Sequence, residues 1–257
     1  MIVRPLGASA DVVTQVDHAV LSGRLAEAWG GPAVPPLEPR ESLIAAARLH
    51  DIGWRHWEAA PRLNPDNGRP ANFLDVVIDE HLRLYRLGID EVEAVDRHAG
   101  MLVAMHAAGI YTGRFGTQPA LLLTRAPAVQ SLVDAFVAEQ QSRVRAAQDA
   151  LGVSDDALWR AYVLLQVFDR LSLRLCGGDP AGSGPMEIAL PDDGVLAVAR
   201  DEDGAERLDP WPFATEALAL EVPTRTIPLE GHGDDAALLA ALDAAPIALR
   251  PVLLLPA

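Results

Sequence analysis

Apolar residues recur every three or four positions through most of the first 180 residues, the spacing of helices that each bury one stripe. A first helix is predicted from Ser9 to Trp29, with Leu21, Leu25 and Trp29 on one face; Gly30, Gly31 and the cluster Pro32, Pro35, Pro36 and Pro39 break it. A second runs from Glu41 to Asp51, with the stripe Leu43, Ala46 and Ala47, and ends at Gly53. Pro61 to Pro70 reads as a long loop. A third helix covers Ala71 to Leu87 and stops at Gly88, and a fourth runs from Asp90 to Ala108. Gly109 to Gly116 is a glycine-rich loop. A long helix spans Pro127 to Leu151. Ser154, with Asp155 and Asp156 in the first turn, caps another to Cys176. The segment YVLLQVFDRLSLRLC in that last helix is apolar nearly all round, which predicts a central position.

After Gly177 and Gly178 the pattern changes. Met186 to Leu190, Val195 to Arg200, Leu218 to Leu229 and Ile247 to Leu255 read as strands, with a short helix near Asp234 to Ala244. The expected fold is mainly α: a helical domain over residues 1–180, with a small β-rich α+β appendage over 181–257 packed on it.

Several polar residues interrupt the apolar stripes. His18 shares a face with Leu21, Leu25 and Trp29. His50 continues the stripe of Leu43, Ala46 and Ala47. His81 lies among Leu74, Val77, Ile78, Leu84 and Tyr85, and His106 follows Ala99, Leu102 and Val103. Asp169 sits inside the most apolar helix, where an ionised carboxylate is costly unless it is paired or binds a metal. Any one of these alone reads as a hydrogen-bonded core residue, and Asp169 could pair with a buried arginine. Five separate segments each placing one such group on a buried stripe point instead to a metal site built between facing helices. Imidazole and carboxylate suit iron, manganese, zinc or cobalt better than calcium. His98, near the face of His106, could support a ligand or face substrate, with a surface or structural role the alternative. His56 could line a pocket mouth, and His232 reads as a solvated loop residue.

Composition narrows the partners. All 21 basic residues are arginines, and with 36 acids the net charge is -15, a surface that repels nucleic acid and anionic membranes. It leaves a small phosphorylated substrate open, because a metal ion inverts the local field. The single Cys176 can form no internal disulfide. No apolar run reaches the length of a membrane span, and MIVRPLGASA lacks a signal-peptide pattern, so a cytoplasmic protein is expected.

The order His18, His50-Asp51, His81, His106, Asp169 resembles the HD superfamily, with LHDIGW similar to its second-helix signature and LLQVFDRLSL to the helix of its final aspartate. The chain is also similar to a bacterial family catalogued as a domain of unknown function, number 3891, which has a comparable HDIGW segment and tail. The resemblance covers about residues 10 to 176 and implies an HD-type helical bundle with a buried dinuclear centre. His18, His50 and Asp169 would hold one ion, and His81 and His106 the other. Asp51 would bridge them as the catalytic carboxylate. The cofactors implied are two divalent transition-metal ions, iron or manganese first, with zinc, cobalt or nickel also compatible. Two chemistries use this set: hydrolysis of a small phosphorylated or related substrate by a metal-activated bridging hydroxide, and mixed-valence di-iron oxygenation. A third reading is a metal-binding regulatory module without turnover. Many nucleotide-cleaving relatives carry a lysine where this chain has Trp54, so phosphate recognition here falls to arginine. Arg48, Arg55, Arg97 and Arg114 are candidates, and Arg114, in GIYTGRFG just after the His106 helix, is preferred. Tyr111, Trp54 and Trp57 complete the expected substrate pocket, with core packing the alternative for both tryptophans. A homodimer is compatible with such a domain.

Overall fold

The computed structural model describes residues 1–118, 125–177 and 184–257. Two strands open the chain, β1 (Ile2–Leu6) and β2 (Ser9–Val13). Seven helices follow: α1 (Gln15–Ala28), α2 (Arg40–Leu49), the short α3 (Arg55–Glu58), α4 (Ile78–Val95), α5 (Arg97–Tyr111), α6 (Pro127–Leu151) and α7 (Asp155–Cys176). The C-terminal part comprises β3 (Met186–Ala189), β4 (Val195–Arg200), β5 (Glu206–Asp209), β6 (Leu218–Pro228), α8 (Asp235–Ala244) and β7 (Ala248–Pro256).

All seven strands belong to one mixed sheet, in the order β1-β2-β6-β7-β5-β4-β3. Neighbours are antiparallel except β5 and β7, which run parallel. The architecture is therefore α/β, which overturns the expectation of a mainly α bundle with a small C-terminal β-rich appendage. The error lay at the N-terminus. SADVVTQVDHAV is continuously rich in apolar residues and reads as the start of a helix, but Thr14 caps α1 by accepting a hydrogen bond from the backbone N–H of Asp17 (2.9 Å). The residues before it pair with β6 from the far end of the chain, Ala10 opposite Ile227 and Val12 opposite Arg225. The expected boundary between residues 180 and 181 lies outside the described residues.

The helices differ from expectation mainly at their ends. The third does not begin at Ala71; Asn72 caps a single turn, Phe73–Asp75, and α4 starts at Ile78. Gly88 does not end it but lies inside it, and the break comes at Asp96, whose side chain accepts from the N–H groups of His98 and Ala99 to cap α5. Gly109 to Tyr111 are helical, so only Gly113 to Gly116 make an irregular turn. In α7 nearly every residue from Tyr162 to Cys176 is buried, as its all-round apolarity requires. It packs against α1, α2 and α5, and these four helices enclose the polar cluster described next. No helix among the described residues is long and apolar enough to cross a membrane.

Candidate metal centre

Each polar group reaches the interior by a local device. His18 lies on the buried face of α1, His106 on that of α5 and Asp169 on that of α7. α2 ends at Leu49, so His50 is its C-cap and Asp51 falls outside the helix, at φ −112° and ψ 18°. That break turns two consecutive side chains toward the same point. Gly53 makes the next step work. A Cβ on Gly53 would collide with the carbonyl oxygen of Leu84 and lie 2.9 Å from the backbone nitrogen of Gly88, so α4 packs directly on the Ile52–Trp54 turn. The close approach brings Tyr85 to Asp51, whose Oδ1 accepts its hydroxyl at 3.2 Å.

Four atoms converge between these elements. His18 Nε2 and His50 Nε2 are 3.2 Å apart. Asp169 Oδ1 is 3.2 Å from the first and 3.4 Å from the second. Asp51 Oδ2 is 3.8 Å from His18 Nε2 and 3.6 Å from His50 Nε2. Ligands held about 2.1 Å from a tetrahedral ion lie about 3.4 Å from one another, so the spacing of His18, His50 and Asp169 fits one metal ion, with Asp51 beside them.

The outer hydrogen bonds orient the rings for that role. His50 Nδ1 donates to the carbonyl of Ala47 (2.8 Å). Ser172 Oγ donates to the carbonyl of Asp169 (2.9 Å), so it accepts from His18 Nδ1 at 2.8 Å. Ser22 supports it with a 2.6 Å contact between the hydroxyls. Both Nδ1 atoms thus carry protons, and both Nε2 atoms face the carboxylate oxygens. The outer oxygens of the carboxylates are held as well, Asp51 Oδ1 by Tyr85 and Asp169 Oδ2 by Arg114 Nη2 at 2.8 Å.

The field at the centre favours positive charge. Burial opposes ionisation of His50, yet the carboxylates of Asp51 and Asp169 raise its pKa to about 9. Burial also opposes the charge of Asp169, but Arg114 and the hydrogen bonds from His18 and His50 hold its pKa well below the carboxylate range. A proton on His50 and a metal ion are alternative ways of meeting the same demand.

Two groups of described residues place ligand atoms close enough to hold an ion: His18, His50 and Asp169, and His50, Asp51 and His106. They share His50, whose imidazole has only Nε2 free, so they form one connected centre. His106 stands beside it, its ring centroid 4.9 Å from that of His50. Its Nδ1 faces two donors at 3.3 Å, Arg114 Nη1 and Gln166 Nε2. Burial, opposed by Asp169 and reinforced by Arg114, keeps the His106 pKa well below its ordinary value.

His81 is not brought into either group. Its Nδ1 is 2.5 Å from the hydroxyl of Tyr111, and its ring packs against Trp54 and Tyr85 at centroid distances of 5.1 and 4.9 Å. Burial, with a smaller effect of Arg125, lowers its pKa to about 4. Trp54 and Trp57 are buried in an apolar cluster with Leu84 and Ile227. His98 is half-buried at the start of α5. Arg48 pairs with Glu27 on the surface, Arg55 and His56 with Glu91, and Arg97 is exposed. His232 is partly exposed and bonded to the carbonyl of Pro228. Arg114 alone among the candidate arginines reaches the centre.

The stripe reading overlooked Tyr85, Gln166, Ser172 and Ser22. Spacing held a signal for three of them: Gln166 and Ser172 flank Asp169 by three residues on one helical face, and Tyr85 follows His81 by four.

No curated protein and no solved structure is significantly similar to the chain. A family model described as a protein of unknown function, DUF3891, matches residues 1–229, which includes β1, β2, every helix of the centre and most of the sheet. The chain belongs to the DUF3891 family.

Proposed function

We propose that this protein is a metal-dependent hydrolase of a small phosphorylated or related substrate. One observation carries the reading: two buried imidazole nitrogens lie 3.2 Å apart, each within 3.2–3.8 Å of one oxygen of two buried carboxylates. Such a set matches the ligand preferences of iron, manganese, zinc, cobalt or nickel. His18, His50, Asp51 and Asp169 would hold the ion. A divalent metal there supplies Lewis acidity and, by lowering the pKa of water, a nucleophile near neutral pH. The protein's own groups fix the ligands: Ser172 and Ala47 set the imidazole tautomers, and Tyr85 and Arg114 hold the carboxylates.

Metal analysis of aerobically purified protein, combined with assay on a generic phosphoester, tests this. Bound metal, release stimulated by manganese, cobalt or nickel, and loss of that release in Asp51→Ala are expected. Two irons per chain with a mixed-valence resonance and no phosphoester cleavage would replace the hydrolase by an oxygenase. Protein that binds no metal after metal-supplemented expression would overturn both.

A further inference from the structure

Arg114 is held in an unusual way for an arginine only 7% exposed. Its loop places Gly113, Arg114 and Phe115 at φ 59°, 54° and 53°, a left-handed run that costs about 1–2 kcal/mol for each non-glycine residue. The strain is accepted where it drives the guanidinium inward. There Nη2 bonds Asp169 Oδ2 (2.8 Å) and Nη1 bonds Gln166 Oε1. The pairing with Asp169 uses one nitrogen rather than the usual two-nitrogen fork. The third donor, Nε, is buried and has no hydrogen-bond partner. The hydroxyl of Tyr162 is also buried without a well-formed hydrogen bond; it faces Arg114, whose charge and side-chain hydrogen bond partly offset the rise in pKa that burial causes. Room for that hydroxyl comes from Gly109, where any Cβ would collide with it.

Buried donors without a well-formed hydrogen bond cost about 1–3 kcal/mol each, so Arg114 Nε and the Tyr162 hydroxyl, facing one another beside the candidate metal centre, are suited to an oxygen-rich ligand. The second group, His50, Asp51 and His106, shares the single free nitrogen of His50 with the first, while His106 Nδ1 faces the donors of Arg114 and Gln166 and His81 Nδ1 is bonded to Tyr111. With one divalent ion and Arg114 set against Asp51 and Asp169, the centre carries one excess positive charge and favours an anion.

We propose that Arg114 takes the place of a second metal ion, and that its Nε, together with the Tyr162 hydroxyl, receives an anionic phosphoryl oxygen of the substrate beside a single bound metal. This rests on reading the centre as a metal-dependent phosphoester site, and it names that site's substrate as a phosphomonoester or a similarly charged small molecule.

The test is titration of the metal-reconstituted full-length protein with inorganic phosphate, by calorimetry, alongside metal content. The wild type is expected to hold one metal per chain and to bind phosphate. Arg114→Gln and Tyr162→Phe are each expected to weaken phosphate about tenfold or more, the effect of losing one strong hydrogen bond. Tyr162→Phe, which removes a single oxygen atom and no charge, is expected to keep its metal content and circular dichroism. Wild-type phosphate affinity in a folded, metal-loaded Tyr162→Phe protein would overturn the receptor, as would a metal-loaded wild type that does not bind phosphate. Two metals per wild-type chain would overturn the substitution of arginine for an ion. A wild type that binds no metal would instead count against the metal-dependent reading itself.

Discussion

Ser172 lies outside the candidate ligand set yet orients one of its members. Its hydroxyl donates to the carbonyl of Asp169 and accepts from His18 Nδ1, so it fixes the tautomer that leaves Nε2 free. Removing such an outer partner typically lowers metal affinity about 10–100-fold. Ser172→Ala is therefore expected to weaken metal binding by that factor in competition with a chromophoric chelator, while the thermal unfolding of the metal-free protein changes little. At His50 the controlling variable is pH. The carboxylates raise its pKa from 6.5 to about 9, so at neutral pH a metal must displace a proton from Nε2. Apparent metal affinity should rise roughly tenfold per pH unit below pH about 9, and an affinity flat from pH 7 to 9 would contradict it. The stability linkage has the opposite sign. In metal-free protein the raised pKa contributes stability that is complete below 6.5 and is lost as pH rises through about 9, so the gain in Tm on adding metal should grow across that interval.

The contact between the Ile52–Trp54 turn and α4 decides whether Asp51 and Tyr85 meet. It depends on two glycines with no side chains between two backbones, Gly53 and Gly88. Gly53→Ala forces a methyl group into the Leu84 carbonyl oxygen, which cannot rotate away as a side chain could. A loss of about 1–3 kcal/mol or more in denaturant unfolding is expected, with weaker metal binding as Asp51 is displaced. This pairing also marks the limit of what the sequence discloses. Helical stripes located α1, α2, α5 and α7, and hence His18, His50, His106 and Asp169, because a 3.6-residue period is a local property. Gly88 was misread as a stop, since a glycine that ends a helix and one that admits another backbone look identical in one dimension. His81 shares a face with Tyr85, and the period alone assigned both to the interior without showing that Tyr85 would reach Asp51 in its place. The strands β1 and β2 escaped for the same reason: their partner, β6, is specified only by the fold.

The molecule as a whole is tied together by more than sheet pairing. Arg174, in the last turn of α7 and five residues beyond Asp169, donates through Nε to Glu206 Oε2 on β5 at 2.8 Å, and Arg200 on β4 donates to the other oxygen of the same carboxylate at 2.6 and 2.8 Å. Arg174 and Glu206 expose only 1% and 3% of their side chains, so this is an ion pair removed from water where the helix that carries Asp169 meets the sheet. The net worth of such a pair is small, because desolvation offsets most of the attraction, but breaking it from one side leaves a buried charge. Arg200 is partly exposed and can turn to solvent; Arg174 cannot. Glu206→Ala is accordingly expected to cost about 3–5 kcal/mol in equilibrium unfolding, far more than loss of a surface pair such as Arg69–Glu230. If α7 and the sheet form one cooperative unit, the Glu206→Ala protein should unfold in a single transition at lower denaturant, with metal release and loss of helical signal coinciding. A helical signal that survives after the sheet has melted would show instead that the centre is stable without the strands that join the two ends of the chain.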